Sequence, residues 1–143
     1  MQLGTRCHLV TDRNGIPLVF ILTGVNTNDS KPFEESLDSV TPIGGKPGRA
    51  RHRPHKLHAD KAYDHRLCRK AYHRRGIASC IARCGVETSQ RLGRQRWVIE
   101  RVFAWINRYR RLFMRYGRRS SIHNTFTALA CSLICFNTLQ KRF

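Results

Sequence analysis

The sequence predicts a mixed α/β fold in one domain spanning residues 1–143, and three observations carry that expectation. β-rich runs alternate with stretches of helical period along the chain. The length of 143 residues is enough to bury one real core. No internal repeat or shift in composition divides the chain.

Residues 6–12 (RCHLVTD) and 16–23 (IPLVFILT) read as two strands around Asn14-Gly15, a pair suited to the positive φ of a type I′ hairpin turn. The second run is nearly all apolar, as expected of a strand buried on both faces. Residues 29–39 (DSKPFEESLDS) predict a short helix capped by Asp29 or Ser30, with Phe33 and Leu37 spaced by four. A Pro/Gly/Arg loop follows over residues 41–55. HKLHAD (55–60) predicts a strand ending at Asp60, and AYDHRLCRKAYHRRG (62–76) a helix with Leu67, Cys68 and Ala71 inward and Gly76 closing it. IASCIA (77–82) is a further strand.

A long helix is expected from Gly93 to Tyr116, its apolar stripe being Ile99, Val102, Phe103, Ile106, Tyr109 and Phe113. Gly117 stops it, and Ser120 or Ser121 caps a last helix whose Ile122, Phe126, Leu129, Leu133 and Phe136 cover the core.

Charge narrows the function. Lys and Arg total 27 against nine acids, a net charge of +18. A field of that size points to a polyanion partner, and arginine's planar fork suits phosphate. An anionic membrane is the competing surface, yet residues 125–136, the longest apolar-looking run, are too short to span one. The start, MQLGTRCHLV, has no charged region followed by an apolar run, so no signal peptide is read. The six cysteines are then expected as reduced thiols. Cys80/Cys84 and Cys131/Cys135 lack the two-residue gap of a zinc knuckle, and His52, His55 and His58 are read as part of a basic loop entering a strand.

The segment RWVIERVFAWINRYRRLFMRYGRR (96–119) carries eight arginines and one acid, Glu100. At about 100° per residue, Glu100 shares a face with Arg96, Ala104, Asn107 and Arg111 at the edge of the apolar stripe. An ion pair with Arg96 would be worth only about 0.3–0.5 kcal/mol on a helix surface. Asp60 offers another role, because ligands of open α/β sheets gather at the carboxyl ends of strands. One carboxylate from a strand end and one from a helix make a hard-oxygen pair suited to Mg²⁺. Trp97, Phe103 and Trp105 are read as packing residues, Tyr63 as packing over the strand end, and Asp64 as stabilising the helix start.

GTRCHLVTDRNGIPLVFILTGVNTNDS, HADKAYDHRLCR, RRGI and RWVIERVFAWINRYRRLFMRY together resemble bacterial insertion-sequence transposases of the DDE type, in the insertion-sequence-five-like group. The resemblance runs from residue 4 to about 136, with the motifs in the family's order. It implies an RNase H-like fold and Mg²⁺-dependent (or Mn²⁺-dependent) cutting and joining of double-stranded DNA at transposon ends and target, with two ions in a complete site. It places the second Asp of the family's motif at Asp60 and the Glu at Glu100, both catalytic and both metal ligands. Lys61, Arg96, Arg101, Arg108, Arg110, Arg111, Arg115, Arg118 and Arg119 are the expected DNA contacts. A homo-oligomer, or a partner made from an upstream reading frame, and a bacterial cytoplasmic location at the nucleoid are implied as well.

Three departures stand beside the match. A tyrosine that some relatives carry three residues before the helix arginine would fall at Gly93. The basic residue that follows the Glu would fall at Asn107, next to Arg108. The first Asp lies, in relatives, on a central strand upstream of the GTRCHLV hairpin, and Asp12, Asp29 and Asp38 do not replace it. The sequence therefore predicts a partial catalytic domain without that strand or the upstream DNA-recognition segment. A catalytically inactive DNA-binding remnant, or a repressor of transposition, is the alternative. A small RNA-binding module is more distant, because no aromatic-rich RNA-recognition strand is present.

Overall fold

The computed structural model describes residues 4–28, 30–42, 44, 47–48, 50, 53–81, 93–114, 117 and 119–141, with the side chains of residues 61 and 93–96 outside that description. Strand β1 (Thr5–Thr11) pairs antiparallel with β2 (Pro17–Gly24), with His8 opposite Ile21 and an irregularity at Val10/Thr11. The turn between them differs from the expected two-residue form. Gly15 alone takes a positive φ (82°), and Asn14 does not. Asp12 organises the loop instead: its Oδ1 accepts the amides of Asn14 (2.9 Å) and Ile16 (2.7 Å). Its carbonyl accepts the Gly15 amide at 3.1 Å. That is a wider turn ending in a left-handed glycine, for which Asp is as well suited as Asn.

Helix α1 (Ser30–Asp38) buries Pro32, Phe33, Ser36 and Leu37. Its start is held by Asn28, whose Oδ1 accepts the Ser30 amide at 3.2 Å; of the two expected caps, Ser30 is the helix's first residue and Asp29 lies outside the described residues. Strand β3 (Lys56–Ala59) pairs parallel with β4 (Ala78–Ile81), and α2 (Arg66–Arg74) crosses between them. Parallel strands need such a crossover. A single 3-10 turn, Lys61–Tyr63, separates β3 from α2. Within α2, Cys68, Ala71 and Tyr72 are buried, whereas Leu67 faces solvent. The buried stripe is Cys68, Ala71 and Tyr72, spaced by three and four, and Tyr72 takes the place expected of Leu67.

Helix α3 spans Gly93–Asn107, and the chain breaks there rather than running helical to Tyr116. Tyr109 is extended (φ −78°, ψ 107°) and opens the short α4 (Arg110–Phe113). The break turns Leu112 toward the core and leaves Phe113 exposed, the reverse of the periodic expectation. Helix α5 (Ser120–Gln140) buries Thr127, Ala130, Cys131 and Ile134. The stripe expected to cover the core is the wrong face: Ile122, Leu129, Leu133 and Phe136 are exposed.

The described strands form two separate two-stranded sheets, β1-β2 and β3-β4. This is a mixed α/β architecture built on small sheets. β2 is only half-buried, with Leu18 exposed, and so is not the strand buried on both faces that its apolar run predicts. Two cores result. Phe33 and Leu37 of α1, Cys68, Ala71 and Tyr72 of α2, and Ile77 and Ile81 form one. Val102 and Ile106 of α3 with Cys131 and Ile134 of α5 form the other, onto which Leu9 and Phe20 of the hairpin pack. Arg74 and Arg75 fasten α2 to α1: Arg74 bonds Glu34 at 2.6 Å, and Arg75 grips both oxygens of Asp38 at 2.8 and 2.6 Å. The guanidinium of Arg75 holds the Asp38 carboxyl below its ordinary range.

Candidate nucleic-acid and metal site

Asp60 follows β3 directly and is exposed, at the carboxyl end of a strand of the parallel pair. Its carbonyl accepts the Tyr63 amide at 2.9 Å, closing the 3-10 turn that carries the chain away from the strand. Tyr63 is then fixed from the other sheet. The Nδ1 of His8 lies 2.7 Å from the Tyr63 hydroxyl, and its Nε2 lies 3.0 Å from the Thr23 hydroxyl. His8 is buried, and Tyr63 packs against Phe33 with ring centroids 5.3 Å apart. The result is a chain of contacts from the hairpin, through His8 and Tyr63, to the turn that bears Asp60. Tyr63 was legible as a packing residue over the strand end, but His8 was not singled out. The signal available was a histidine at the centre of an otherwise β-rich run, a position that demands hydrogen-bond partners when buried.

Asp64 is held by Arg69, with Nε to Oδ1 at 2.7 Å, an ion pair at the start of α2. His55 is exposed, His58 lies on β3 with its imidazole pKa lowered by burial, and His52 lies outside the described residues. Among the described residues no three side chains drawn from His, Cys, Asp and Glu gather where a cation could be held. Cys80, Cys131 and Cys135 are free thiols, and Cys84 lies outside the described residues.

Glu100 sits on the exposed side of α3, one residue before the Arg101–Val102 pair that locks the helix to the hairpin. The two acids come from elements that contribute to different cores. Asp60 borders the core of α1 and α2, and Glu100 the core of α3 and α5. Both residues have interaction partners in the fold.

Arg101 is placed differently from a surface phosphate ligand. Its guanidinium lies between Trp97 (4.4 Å to the ring centroid) and Trp105 (4.9 Å), and its Nη2 donates to the Asn14 carbonyl at 2.6 Å. A Cβ at Gly15 would stand 3.0 Å from that Nη2 and 3.2 Å from Val102. Arg101 therefore ties α3 to the hairpin turn through its hydrogen bond to Asn14, its guanidinium held by cation–π contact with two rings of its own helix. The two tryptophans are its cradle, in keeping with their reading as packing residues.

Arg108, Arg110, Arg111 and Arg119 are all exposed, around the α3–α4 break and the start of α5. Arg111 rests its guanidinium 5.4 Å over the Phe126 ring, which leaves its N–H edges directed outward. The side chains of Lys61 and Arg96, and residues Arg115 and Arg118 entirely, lie outside the described residues. No helix among the described residues is long and apolar enough to cross a membrane.

Comparison with known proteins now adds to this geometry. The family model of the transposase DDE domain matches residues 2–135. A relative from Burkholderia cepacia, described as "Putative transposase for insertion sequence element IS402", is 44% identical over 138 residues, covering 96% of this chain and 65% of the relative. The chain thus spans about two-thirds of the length of the curated relative it matches. No solved structure matches. The family model matches nearly the whole of this chain, and the chain belongs to the DDE transposase family.

Proposed function

We propose that residues 1–143 form part of the catalytic domain of a DNA transposase, contributing two of its three catalytic acids, Asp60 and Glu100. The reaction is cut-and-join transposition of an insertion sequence: hydrolysis of a phosphodiester at the transposon end, then transfer of the freed 3′-OH to target DNA. The observation that carries this reading is the family match over residues 2–135, which contains a strand-end aspartate and a helix glutamate in the expected order. The fold in which they act would be RNase H-like.

The donor chemistry of the two acids fits Mg²⁺ or Mn²⁺, since both offer hard carboxylate oxygens. Bound ions of this kind polarise the scissile phosphate, activate the attacking oxygen and stabilise the leaving one. Asp60 and Glu100 would hold them, and His8 would keep the Asp60 turn in place through Tyr63. The third acid comes, in this reading, from polypeptide outside these residues. Among the described residues β1 pairs only with β2, and β3 only with β4, so each small sheet offers an edge to an added strand.

Arg108, Arg110, Arg111 and Arg119 hold DNA phosphates on this account, with Lys61, Arg96, Arg115 and Arg118 extending the same basic surface. Arg101 belongs to the fold instead. A second reading, a non-catalytic DNA binder or repressor, is favoured by one observation: the exposed arginines need no complete metal site. Gel shifts in rising salt, with and without the remaining part of the transposase, separate the two. Mg²⁺-dependent cleavage lost in Asp60→Ala and in Glu100→Ala supports the catalytic reading. Binding unchanged by both variants, with no cleavage in any combination, supports the binder.

A further inference from the structure

The turn that bears Asp60 is a weak element by itself. It is a single 3-10 turn, Lys61–Tyr63, between β3 and α2. Such a turn has poor hydrogen-bond geometry and depends on its surroundings. Tyr63 supplies the anchor. Its amide donates to the Asp60 carbonyl at 2.9 Å, and its own carbonyl accepts the His65 amide at 2.8 Å. A contact that fixes the Tyr63 side chain therefore fixes the backbone from which Asp60 projects.

Two groups hold that side chain. The ring packs against Phe33 with centroids 5.3 Å apart, and the hydroxyl lies 2.7 Å from His8 Nδ1. Stacking leaves the ring free to slide, whereas the hydrogen bond sets how far it reaches. A neutral imidazole has one donor and one acceptor nitrogen. A phenol is a stronger acid than an alcohol, so the Tyr63 O–H donates to Nδ1, and Nε2–H donates to the Thr23 hydroxyl 3.0 Å away. His8 is only 4% exposed. A polar ring buried that deeply is costly unless its nitrogens are bonded, and an aliphatic side chain would fill the same place on β1 without that cost. What the histidine adds is its grip on Tyr63.

Successive residues of a strand point to opposite faces. His8 accordingly meets Tyr63, while Leu9 packs with Phe20 onto the core of α3 and α5. At its turn the same hairpin accepts the Arg101 guanidinium of α3 on the Asn14 carbonyl. The hairpin thus touches the Asp60 turn on one side and the helix of Glu100 on the other. We propose that His8 is a positioning residue: through Tyr63 it registers the Asp60 turn against the hairpin, and so against α3. The proposal rests on the catalytic reading of Asp60 and Glu100 and adds to it a residue from the other sheet.

The test is a Mn²⁺ titration of this chain joined to the remaining part of the transposase, followed by the electron paramagnetic resonance of the free ion. Tyr63→Phe removes one oxygen and leaves the ring on Phe33. His8→Gln carries its amide to the place of Nε2 and keeps the Thr23 bond, whereas His8→Asn carries it to the place of Nδ1 and keeps the Tyr63 bond. Losing an outer-shell partner costs about 10–100-fold in metal affinity, and this link runs through backbone, so Tyr63→Phe and His8→Gln should weaken Mn²⁺ binding by about tenfold. His8→Asn should bind close to wild type. In amide hydrogen exchange without metal, the Tyr63 N–H should exchange faster in the first two variants and not in His8→Asn. A purely structural histidine predicts otherwise: each of its two variants gives up one hydrogen bond, so both would lose affinity alike, in step with their thermal midpoints. That equal loss overturns the proposal. Wild-type affinity in Tyr63→Phe and His8→Gln, with binding lost in Asp60→Ala, overturns it too and leaves the catalytic reading standing. Wild-type affinity in Asp60→Ala overturns the catalytic reading and this proposal together.

Discussion

At the scale of single residues, three side chains give sharp expectations. Tyr72 is fully buried, and its hydroxyl has no hydrogen-bond partner among the described residues. An unsatisfied buried hydroxyl costs about 1–3 kcal/mol, so Tyr72→Phe should leave stability unchanged or raise it by about 1 kcal/mol in a urea titration. Tyr72→Ala should lose about 3–5 kcal/mol through the cavity it opens. Burial raises the thiols of Cys7 and Cys131, each to about 11. Near pH 8 the folded protein should then react with iodoacetamide at these two sites on the order of a hundredfold more slowly than in denaturant. Asp38 is held below its ordinary 3.8 by Arg75. Because the folded-state value is the lower one, this ion pair contributes fully above pH 3.8 and fades as the pH falls toward the folded value. Asp38→Asn should therefore flatten the acid limb of the stability curve, as read from thermal midpoints between pH 2 and 6. Asp60 and Glu100 are proposed from residue type, order and the family resemblance, and the cleavage assays test them. His8 was not legible, since nothing in the sequence says that a residue 55 positions away will supply its partner.

At the scale of elements, the α3–hairpin clamp joins the helix that carries Glu100 to the β1–β2 turn. Arg101→Ala removes two cation–π contacts and a hydrogen bond to the Asn14 carbonyl, and should lower stability by about 1–3 kcal/mol. Arg101→Lys should recover little, because an ammonium cannot stack between two indoles as a planar guanidinium does. Gly15→Ala should cost more than 1 kcal/mol, since the left-handed φ and the approach of Arg101 and Val102 both oppose a Cβ. Circular dichroism melts of the three variants check this. The elements themselves were largely readable, because hairpin, helices and short strands each announce a period or a cap. The break after Asn107 was not, as neither Pro nor Gly marks it and the register of Leu112 is chosen by packing on α5. The inward face of α5 failed for a related reason. A helix with apolar residues on two sides has no single stripe, so periodicity picks the larger residues, whereas packing against the hairpin selects the smaller Thr127, Ala130 and Cys131.

At the scale of the whole molecule, the basic surface and the two acids must act together or the catalytic account fails. Each phosphate contact removed by Arg108→Ala, Arg110→Ala, Arg111→Ala or Arg119→Ala should weaken DNA binding and reduce the salt slope by roughly 0.9. Arg101→Ala, by contrast, should act through stability. The mixed α/β class and the family were legible in the sequence, because motif order survives without any knowledge of packing. The separation into two small sheets was not, since strand pairing is a property of neighbours that the local pattern does not name. The central claim is that Asp60 and Glu100 are two parts of a three-acid site completed by polypeptide outside these residues. The most direct test joins this chain to the part of the Burkholderia cepacia relative that lies outside the matched region, and measures Mg²⁺-dependent cutting of supercoiled plasmid carrying insertion-sequence ends. The account predicts cleavage by the joined protein, none by residues 1–143 alone, and a fall to background in the joined Asp60→Ala and Glu100→Ala variants. Full cleavage by residues 1–143 alone, or by either joined variant, would contradict it.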